Sequence, residues 1–359
     1  MNILIVKLGS IGDIVHTLPA LAAIRRELPR AEVAWVVERR AAEILKDNPL
    51  VDRLIEIDTK ALRRWRPLSG ETLSATRRQL QRLRASTFDI ALDFQGLLKS
   101  AAIARLARAP RVYGFARESL REPASRFLLT HTVNVPLDTN VIRKNLALAA
   151  TALDIRVPAD ADEFEFPINV SPEQEREAGE AAALARGEFA ILNAGGGWPT
   201  KLWSAERFGA LADALLARHN LRSLVAYGPG ELELAESVAR ASRAGAARPV
   251  SLSLKGFYAL ARRASLYVGG DTGPTHLAVA AGAPVVGLFG PTEWWRNGSP
   301  RAADLCVERT DISCRTACHA RACDAWVCMD IEVARVAEAA GERLRRAAGA
   351  RRAEALTSA

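Results

Sequence analysis

The sequence predicts an α/β protein built on two doubly wound parallel sheets, and three observations carry that reading. Strand-length apolar runs alternate with helix-length amphipathic segments, as βαβ units require. The alternation occurs twice, on either side of a stretch punctuated by Pro158, Pro167 and Pro172 and rich in acids. Each half also carries a glycine-framed turn between an apolar strand and a helix. The first is Gly9-Ser10-Ile11-Gly12-Asp13 and the second Gly269-Gly270-Asp271-Thr272-Gly273-Pro274-Thr275-His276. Such a turn leaves backbone N–H groups unpaired at the positive end of a helix dipole, a natural seat for phosphate or developing negative charge. Doubly wound sheets bind ligands outside the carboxyl ends of their strands, so two halves of this kind predict a cleft between domains.

Taken in order, residues 3–7 are an apolar run ending in Lys7 and read as a buried first strand, with 14–28 as its helix. Residues 32–37, 54–58, 90–94 and 112–114 continue the strand series, and 73–85 and 97–107 supply helices between them. A helix over 140–153 closes the first half. In the second half the strands are 189–193, 223–227, 266–269 and 285–289. The helices there are 205–219, 232–241, 255–263 and 275–281. A last amphipathic helix over 332–347 precedes a tail, 348–359, expected to fray. The domain boundaries that follow are 1–165, 166–330 and a terminal helix and tail over 331–359.

A chain of 359 residues with 49% hydrophobic content is long enough for two cores. Lys7 interrupts the first apolar run within one strand length, so that run is no signal-peptide core. Residues 277–289 are broken by Gly282, Pro284 and Gly287 and are too short to span a bilayer, so a cytoplasmic protein is expected. Lys and Arg number 49 against 41 Asp and Glu, a net charge of +8 concentrated in the first half. Lys60, Arg63, Arg64, Arg66, Arg77, Arg78, Arg82 and Arg84 surround the acid Glu71, and Lys99 to Arg126 holds a second basic stretch. Such a surface fits nucleic acid, anionic lipid, or a phosphorylated or carboxylated sugar, or is simply a solvated arginine-rich face. The first of these stretches has no stacking aromatic apart from Trp65, and no nucleic-acid motif occurs, which argues against a nucleic-acid partner.

Five cysteines without secreted-domain spacing fit a reducing compartment. Cys314, Cys318, Cys323 and Cys328, with His319 adjacent, come near a zinc-ribbon spacing without matching it. A metal site and a merely cysteine-rich loop are both open readings. The segment lies outside both glycine turns, so no part in catalysis is expected of it.

Asp13, at the first turn, suits two roles: a general base for a hydroxyl, or a cap for the helix that follows. At the second turn, backbone amides and the Thr272 hydroxyl can hold phosphate oxygens. Asp271 cannot bind phosphate and would orient loop amides or a ligand hydroxyl, or act as a cap; His276 could equally be an ordinary half-buried histidine. Lys201 follows the glycine-rich run Asn193-Ala194-Gly195-Gly196-Gly197-Trp198-Pro199-Thr200. An Asp160-Ala161-Asp162 match to a metal-binding DxD lies away from both turns and is read as chance.

The stretch from Ile5 to Pro19, with Lys7, Gly9, Gly12, Asp13 and His16, together with the run from Gly270 to Leu277, resembles glycosyltransferase family 9, the ADP-heptose:lipopolysaccharide heptosyltransferases. The similarity runs over nearly the whole chain. Residues 92–100, the Arg63-Arg64-Trp65-Arg66 cluster and Arg121-Glu122-Pro123 are most similar to the heptosyltransferase I branch. The resemblance implies a GT-B fold, two Rossmann-like domains facing across a cleft, and inverting transfer with neither metal nor other cofactor. It assigns Asp13 as general base. On the donor side it implies Lys201, which meets the diphosphate, with Asp271, Thr272, Gly273, His276 and Glu231; Glu233 is open as an alternative to Glu231. On the acceptor side stand Lys7, Arg63, Arg64, Arg66, Arg121 and Asn140, the last where many relatives have histidine. The implied partners are ADP-heptose and an anionic Kdo-bearing lipid A acceptor, with peripheral contact at the inner face of the inner membrane and no nucleic acid. Another acceptor or sugar donor within the family, as in heptosyltransferase II, is the nearest alternative, and a nucleic-acid-binding protein the more distant one.

Overall fold

A computed structural model describes residues 1–58, 70–314 and 318–357, and packing divides the chain into two units, Met1–Asn169 and Val170–Ala359. The first unit holds β1 (Asn2–Val6), β2 (Glu32–Glu38), β3 (Arg53–Ile57), β4 (Ile90–Asp93), β5 (Arg111–Phe115) and β6 (His131–Val133), in the order β3-β2-β1-β4-β5-β6. The second holds β7 (Phe189–Asn193), β8 (Arg222–Tyr227), β9 (Ala247–Ser251), β10 (Leu266–Gly270), β11 (Val285–Phe289) and β12 (Leu305–Glu308), in the order β12-β11-β10-β7-β8-β9. Every neighbouring pair is parallel. Numbered from its own first strand, each sheet has the same doubly wound order, which reverses direction between β1 and β4 and between β7 and β10. Ligands of open α/β sheets bind at such switch points.

Helices cover both faces of the central strands, which therefore read as continuous apolar runs rather than alternating ones. Ile3, Leu4, Ile5 and Val6 of β1 are wholly buried, as are Ile191 and Leu192 of β7. One core gathers Leu4, Val6, Val36, Ala91 and Val112 over Ala101 and Ala104 of the helix Leu98–Leu106. Another packs Leu192, Val225, Val268 and Val286 against Phe208, Leu211 and Leu215 of the helix Ala205–His219, and against Val336 and Ala340 of the helix Val333–Thr357.

Several elements differ from expectation for identifiable reasons. The helix expected over 14–28 is two, Ile11–Val15 and Leu18–Glu27, with Pro19 in the first turn of the second, where its missing N–H costs nothing. Buried Asn145 fills the break, its Nδ2 donating to the carbonyl of His16 at 2.9 Å and to Thr17 Oγ1 at 3.1 Å. Strands β6, β9 and β12 were not expected, and all three are edges. An edge strand is covered less completely and tolerates Pro249, so its sequence lacks the apolar run of a central strand. Pro172 opens a helix, Pro172–Ala183, rather than extending the linker; Ser171 and Gln174 form the reciprocal cap that marks its start. The last helix continues to Thr357, through a stretch of Ala, Arg, Glu and Leu whose propensity favours helix over fraying. No helix among the described residues is long and apolar enough to cross a membrane.

Candidate functional site

At the switch point of the first unit, β1 is followed directly by Lys7, which is buried. Its Nζ donates to the carbonyl of Phe94, beyond β4, at 2.9 Å and lies 3.7 Å from Asp13 Oδ1. Asp13 stands in the first turn of the helix Ile11–Val15, and its Oδ2 accepts from the Ser10 backbone N–H at 2.7 Å and from Ser10 Oγ at 3.3 Å. Burial raises the Asp13 carboxyl, but the Lys7 charge, the Ser10 N–H and the Arg121 charge outweigh it and hold the group below the usual carboxylate range. Burial likewise pushes the Lys7 ammonium below its ordinary value, against the pull of Asp13 and Asp93. With 27% of its side chain exposed, Asp13 is an ionised acceptor that solvent or a ligand can reach.

Asp93 supports this corner from below. It is wholly buried, and its Oδ1 accepts from the N–H groups of Gln95 at 3.0 Å and Gly96 at 3.3 Å, while Ser100 Oγ donates to Oδ2 at 3.0 Å. Burial pushes its carboxyl up to about 6 in spite of these bonds. The turn it holds aims Gln95 Oε1 at the Leu8 N–H, 3.0 Å away, which ties the exits of β1 and β4 together. Gly96, at φ 69°, takes the left-handed conformation that the turn requires.

At the second unit's switch point a lysine and a carboxylate are again paired, Lys201 with Asp271. Lys201 follows the glycine run that leaves β7, and its Nζ donates to Asp271 Oδ2 at 2.7 Å and to the Asp271 carbonyl at 3.1 Å. It also lies 4.3 Å from the centre of the Trp198 ring. His276 Nε2 is 3.2 Å from Asp271 Oδ1. Burial disfavours the charged Asp271, but His276 and Lys201 override it and hold the carboxylate far below its usual range. Thr272 precedes the helix Gly273–Ala280 without capping it; its hydroxyl accepts from Asn193 Nδ2 at 3.1 Å and sits 3.3 Å from Thr275 Oγ1. Glu231 Oε2 accepts the Gly228 N–H at 2.9 Å, and the space beside Gly195 is filled by the Glu231 carboxylate. Only a glycine at 195 leaves that room.

Among the sequence-predicted residues, Lys7, Asp13 and Arg121 are drawn into one electrostatic group, and Lys201, Asp271 and His276 into another. Thr272 and Gly273 stand beside the second group, at the head of the helix Gly273–Ala280. Asp271 contacts both Lys201 and His276. Of the two glutamates, Glu231 faces the strand exits and Glu233 is exposed in the first turn of the helix Leu232–Ala241. Asn140 caps the helix Val141–Leu153, its Oδ1 accepting the Ile142 N–H at 3.0 Å. Asp160 accepts the Asp162 N–H at 3.0 Å, a local turn. Arg63, Arg64 and Arg66 lie outside the described residues. Sequence reasoning passed over Asp93, Gln95, Asn193 and Trp198 as site residues. Each lies within a strand that ends at a switch point or in the loop that leaves it, the one signal that could have found them.

The cysteine segment, expected to stand apart, touches this second group. Thr200 Oγ1 donates to the Ala320 carbonyl at 2.7 Å, Trp326 Nε1 donates to the Thr200 carbonyl at 3.0 Å, and the Arg321 guanidinium lies 4.9 Å from the Trp198 ring centre.

A model of the family described as "Glycosyltransferase family 9 (heptosyltransferase)" matches residues 76–324. The chain is 34% identical to lipopolysaccharide heptosyltransferase 1 of Pseudomonas aeruginosa, over 81% of this chain and 79% of that protein. It is 31% identical to lipopolysaccharide heptosyltransferase 1 of Escherichia coli K12, over 82% and 89%. It is also similar in structure to the E. coli heptosyltransferase WaaC solved with ADP, at a TM-score of 0.72 and 27% identity, covering 85% of this chain and 92% of that one.

Proposed function

The chain belongs to glycosyltransferase family 9, and on that premise we propose that it transfers heptose from ADP-heptose, with inversion, to an anionic Kdo-bearing lipid acceptor of the lipopolysaccharide inner core. The observation that carries this reading is the division of charge between the two switch points: an ionised carboxylate, Asp13, in the first unit and a braced cation, Lys201, in the second. Inverting transfer needs one of each. Asp13 takes the proton of the acceptor hydroxyl as its oxygen bonds to the anomeric carbon, and the bond from that carbon to the diphosphate breaks. Lys201, the Thr272 hydroxyl and the amide of Gly273 meet the charge that accumulates on departing ADP. Asp271 and His276 keep Lys201 in place, and Glu231 serves the donor nucleoside.

The acceptor side draws on Arg121 and on Arg63, Arg64 and Arg66, since arginine grips carboxylate and phosphate bidentately. Asn140 belongs to the same side. Lys7 contributes to it through Asp13, because its own ammonium is committed to the Phe94 carbonyl and the Asp13 carboxylate. The lipid of the acceptor brings the protein to the inner face of the inner membrane, as a peripheral and not a spanning protein. Lys201 and the turn amides supply the electrostatic stabilisation that a divalent ion gives other transferases, so catalysis needs no metal.

The test is ADP release from ADP-heptose in the presence of a Kdo-bearing acceptor, measured with and without added magnesium and beside UDP- and GDP-sugars. ADP release that depends on the acceptor and ignores magnesium is expected. Release from another nucleotide sugar alone would overturn the donor assignment, and strict dependence on magnesium would overturn the role of Lys201.

A further inference from the structure

Between β12 and the helix Val333–Thr357 the chain runs through residues 309–332 without a helix or strand among those described. The end of this segment is anchored in the core by buried Met329 and Ile331, which leaves the stretch before them, without regular structure, in need of another source of order. Four cysteines fall within it at the spacing C-x3-C-x4-C-x4-C, as Cys314, Cys318, Cys323 and Cys328. Each gap is of the length by which paired ligands of structural zinc sites are separated. All four line one cavity of about 20 Å³, closed on one side by Gly290 and Pro291. That is room for one water-sized sphere or one ion. None of the four is in a disulfide. The fifth cysteine, Cys306, lies in β12 and does not line the cavity.

No bulky apolar side chain lines this cavity, so hydrophobic packing does not explain why four thiols from one irregular segment converge there. We infer that Cys314, Cys318, Cys323 and Cys328 bind a single thiophilic divalent cation of the zinc class, and that this ion staples the segment against the loop carrying Lys201. Among the described residues no three such ligands are yet gathered as a coordination shell. Loading therefore draws the sulfurs inward. Each thiol gives up its proton as its sulfur bonds the cation, so four protons leave per ion bound.

The stapled segment braces the neighbouring loop through three contacts: Thr200 to Ala320, Trp326 to Thr200, and Arg321 on the Trp198 ring. Trp198 is also the ring against which Lys201 lies. The ion thus acts on structure at a distance from the reacting atoms. This second half of the inference rests on the reading of Lys201 as the diphosphate-binding cation.

The experiment measures metal in the full chain purified under reducing conditions without chelator, followed by cobalt titration of the stripped protein. About one zinc per chain is expected, as for a closed four-cysteine site, and cobalt should give intense thiolate charge-transfer and tetrahedral d–d bands. Cys306→Ser should keep the bands and Cys318→Ser/Cys328→Ser should lose them. A wild-type chain without metal and without cobalt bands would overturn the site, as would bands that survive in the double variant. Should the double variant not fold, thiol counting on the wild type decides: zinc that protects four thiols from alkylation supports the site, and no protection refutes it. ADP affinity, measured calorimetrically on loaded and stripped wild-type protein, tests the bracing. Weaker ADP binding after stripping supports it, unchanged binding overturns it, and loaded protein that does not bind ADP at all would instead overturn the donor reading.

Discussion

Replacing Asp13 by asparagine separates the two roles that its position allows. The asparagine Oδ1 can still accept the Ser10 N–H that now reaches Asp13 Oδ2 at 2.7 Å, so the shape of the turn survives. What disappears is the charge and the capacity to take a proton. If Asp13 is the base, kcat should fall by roughly 10²–10⁴-fold, the usual contribution of a positioned proton acceptor. At about 1.4 kcal/mol per decade this is a rise of about 3–5 kcal/mol in the barrier. The affinity for ADP should barely change. Stability changes for a different reason. Lys7 Nζ lies 3.7 Å from the carboxylate, and at an effective dielectric of about 20 that pair attracts by about 4–5 kcal/mol before the cost of burying Lys7 is subtracted. Burial raises the Asp13 carboxyl, but Lys7, Ser10 and Arg121 leave it depressed in the fold, so its contribution to stability is present above the usual carboxylate value. It is lost as pH falls through the folded value. The melting temperatures of wild type and variant should therefore differ most near neutral pH and converge in acid. The assay pairs ADP release, for kcat, with melting curves at pH 7 and at about pH 2, below the usual carboxylate value, where the depressed group gives up its contribution. A folded Asp13→Asn protein with near-normal kcat would refute the mechanism.

Lys201→Ala should raise the donor KM and lower kcat by roughly 10²-fold or more, the scale of losing one preorganised group at a developing anion, while leaving the acceptor KM unchanged; initial rates over both substrates would show it, and an equal loss on the acceptor side would mean the residue is misplaced. Glu231→Gln should weaken ADP binding in calorimetry and Glu233→Gln should not, since only the first carboxylate packs against Gly195. Asp93→Asn should stabilise the fold above about pH 6. The wild-type carboxyl is raised by burial from 3.8 to about 6, so its stability is fully present below the unfolded value and is lost as pH rises through the folded one, on the order of 3 kcal/mol. Urea unfolding at pH 4.5 and 7.5 would reveal this, and identical pH dependence in the two proteins would show that Asp93 is ionised throughout.

Central strands and their helices were legible because their signal is local: a strand buried on both faces must be apolar along its length, as β1, β7 and β11 are. Three of the four edge strands were not, because β6, β9 and β12 owe their existence to one neighbour rather than to their own composition. Motif residues were legible in the same local sense. Asp13 and Asp271 stood out at glycine turns, and the family followed from those turns together with the basic clusters.

The sequence alone determined which residue types stand at the strand exits, and so the class of chemistry. Tertiary structure decided what holds each of them. Lys7 finds the Phe94 carbonyl across 87 residues, Lys201 finds Asp271 across 70, and Thr200 finds Ala320 across 120. Parallel pairing of β1 with β4 and of β7 with β10 brings the first two partners together, and no periodicity in the chain records such a pairing. Ionisation belongs to the same category. Asp13, Asp93 and Asp271 are the same side chain with the same intrinsic acidity. One is depressed by Lys7, Ser10 and Arg121, one raised by burial and one depressed by His276 and Lys201, because charge and solvation are set by neighbours that only the fold supplies.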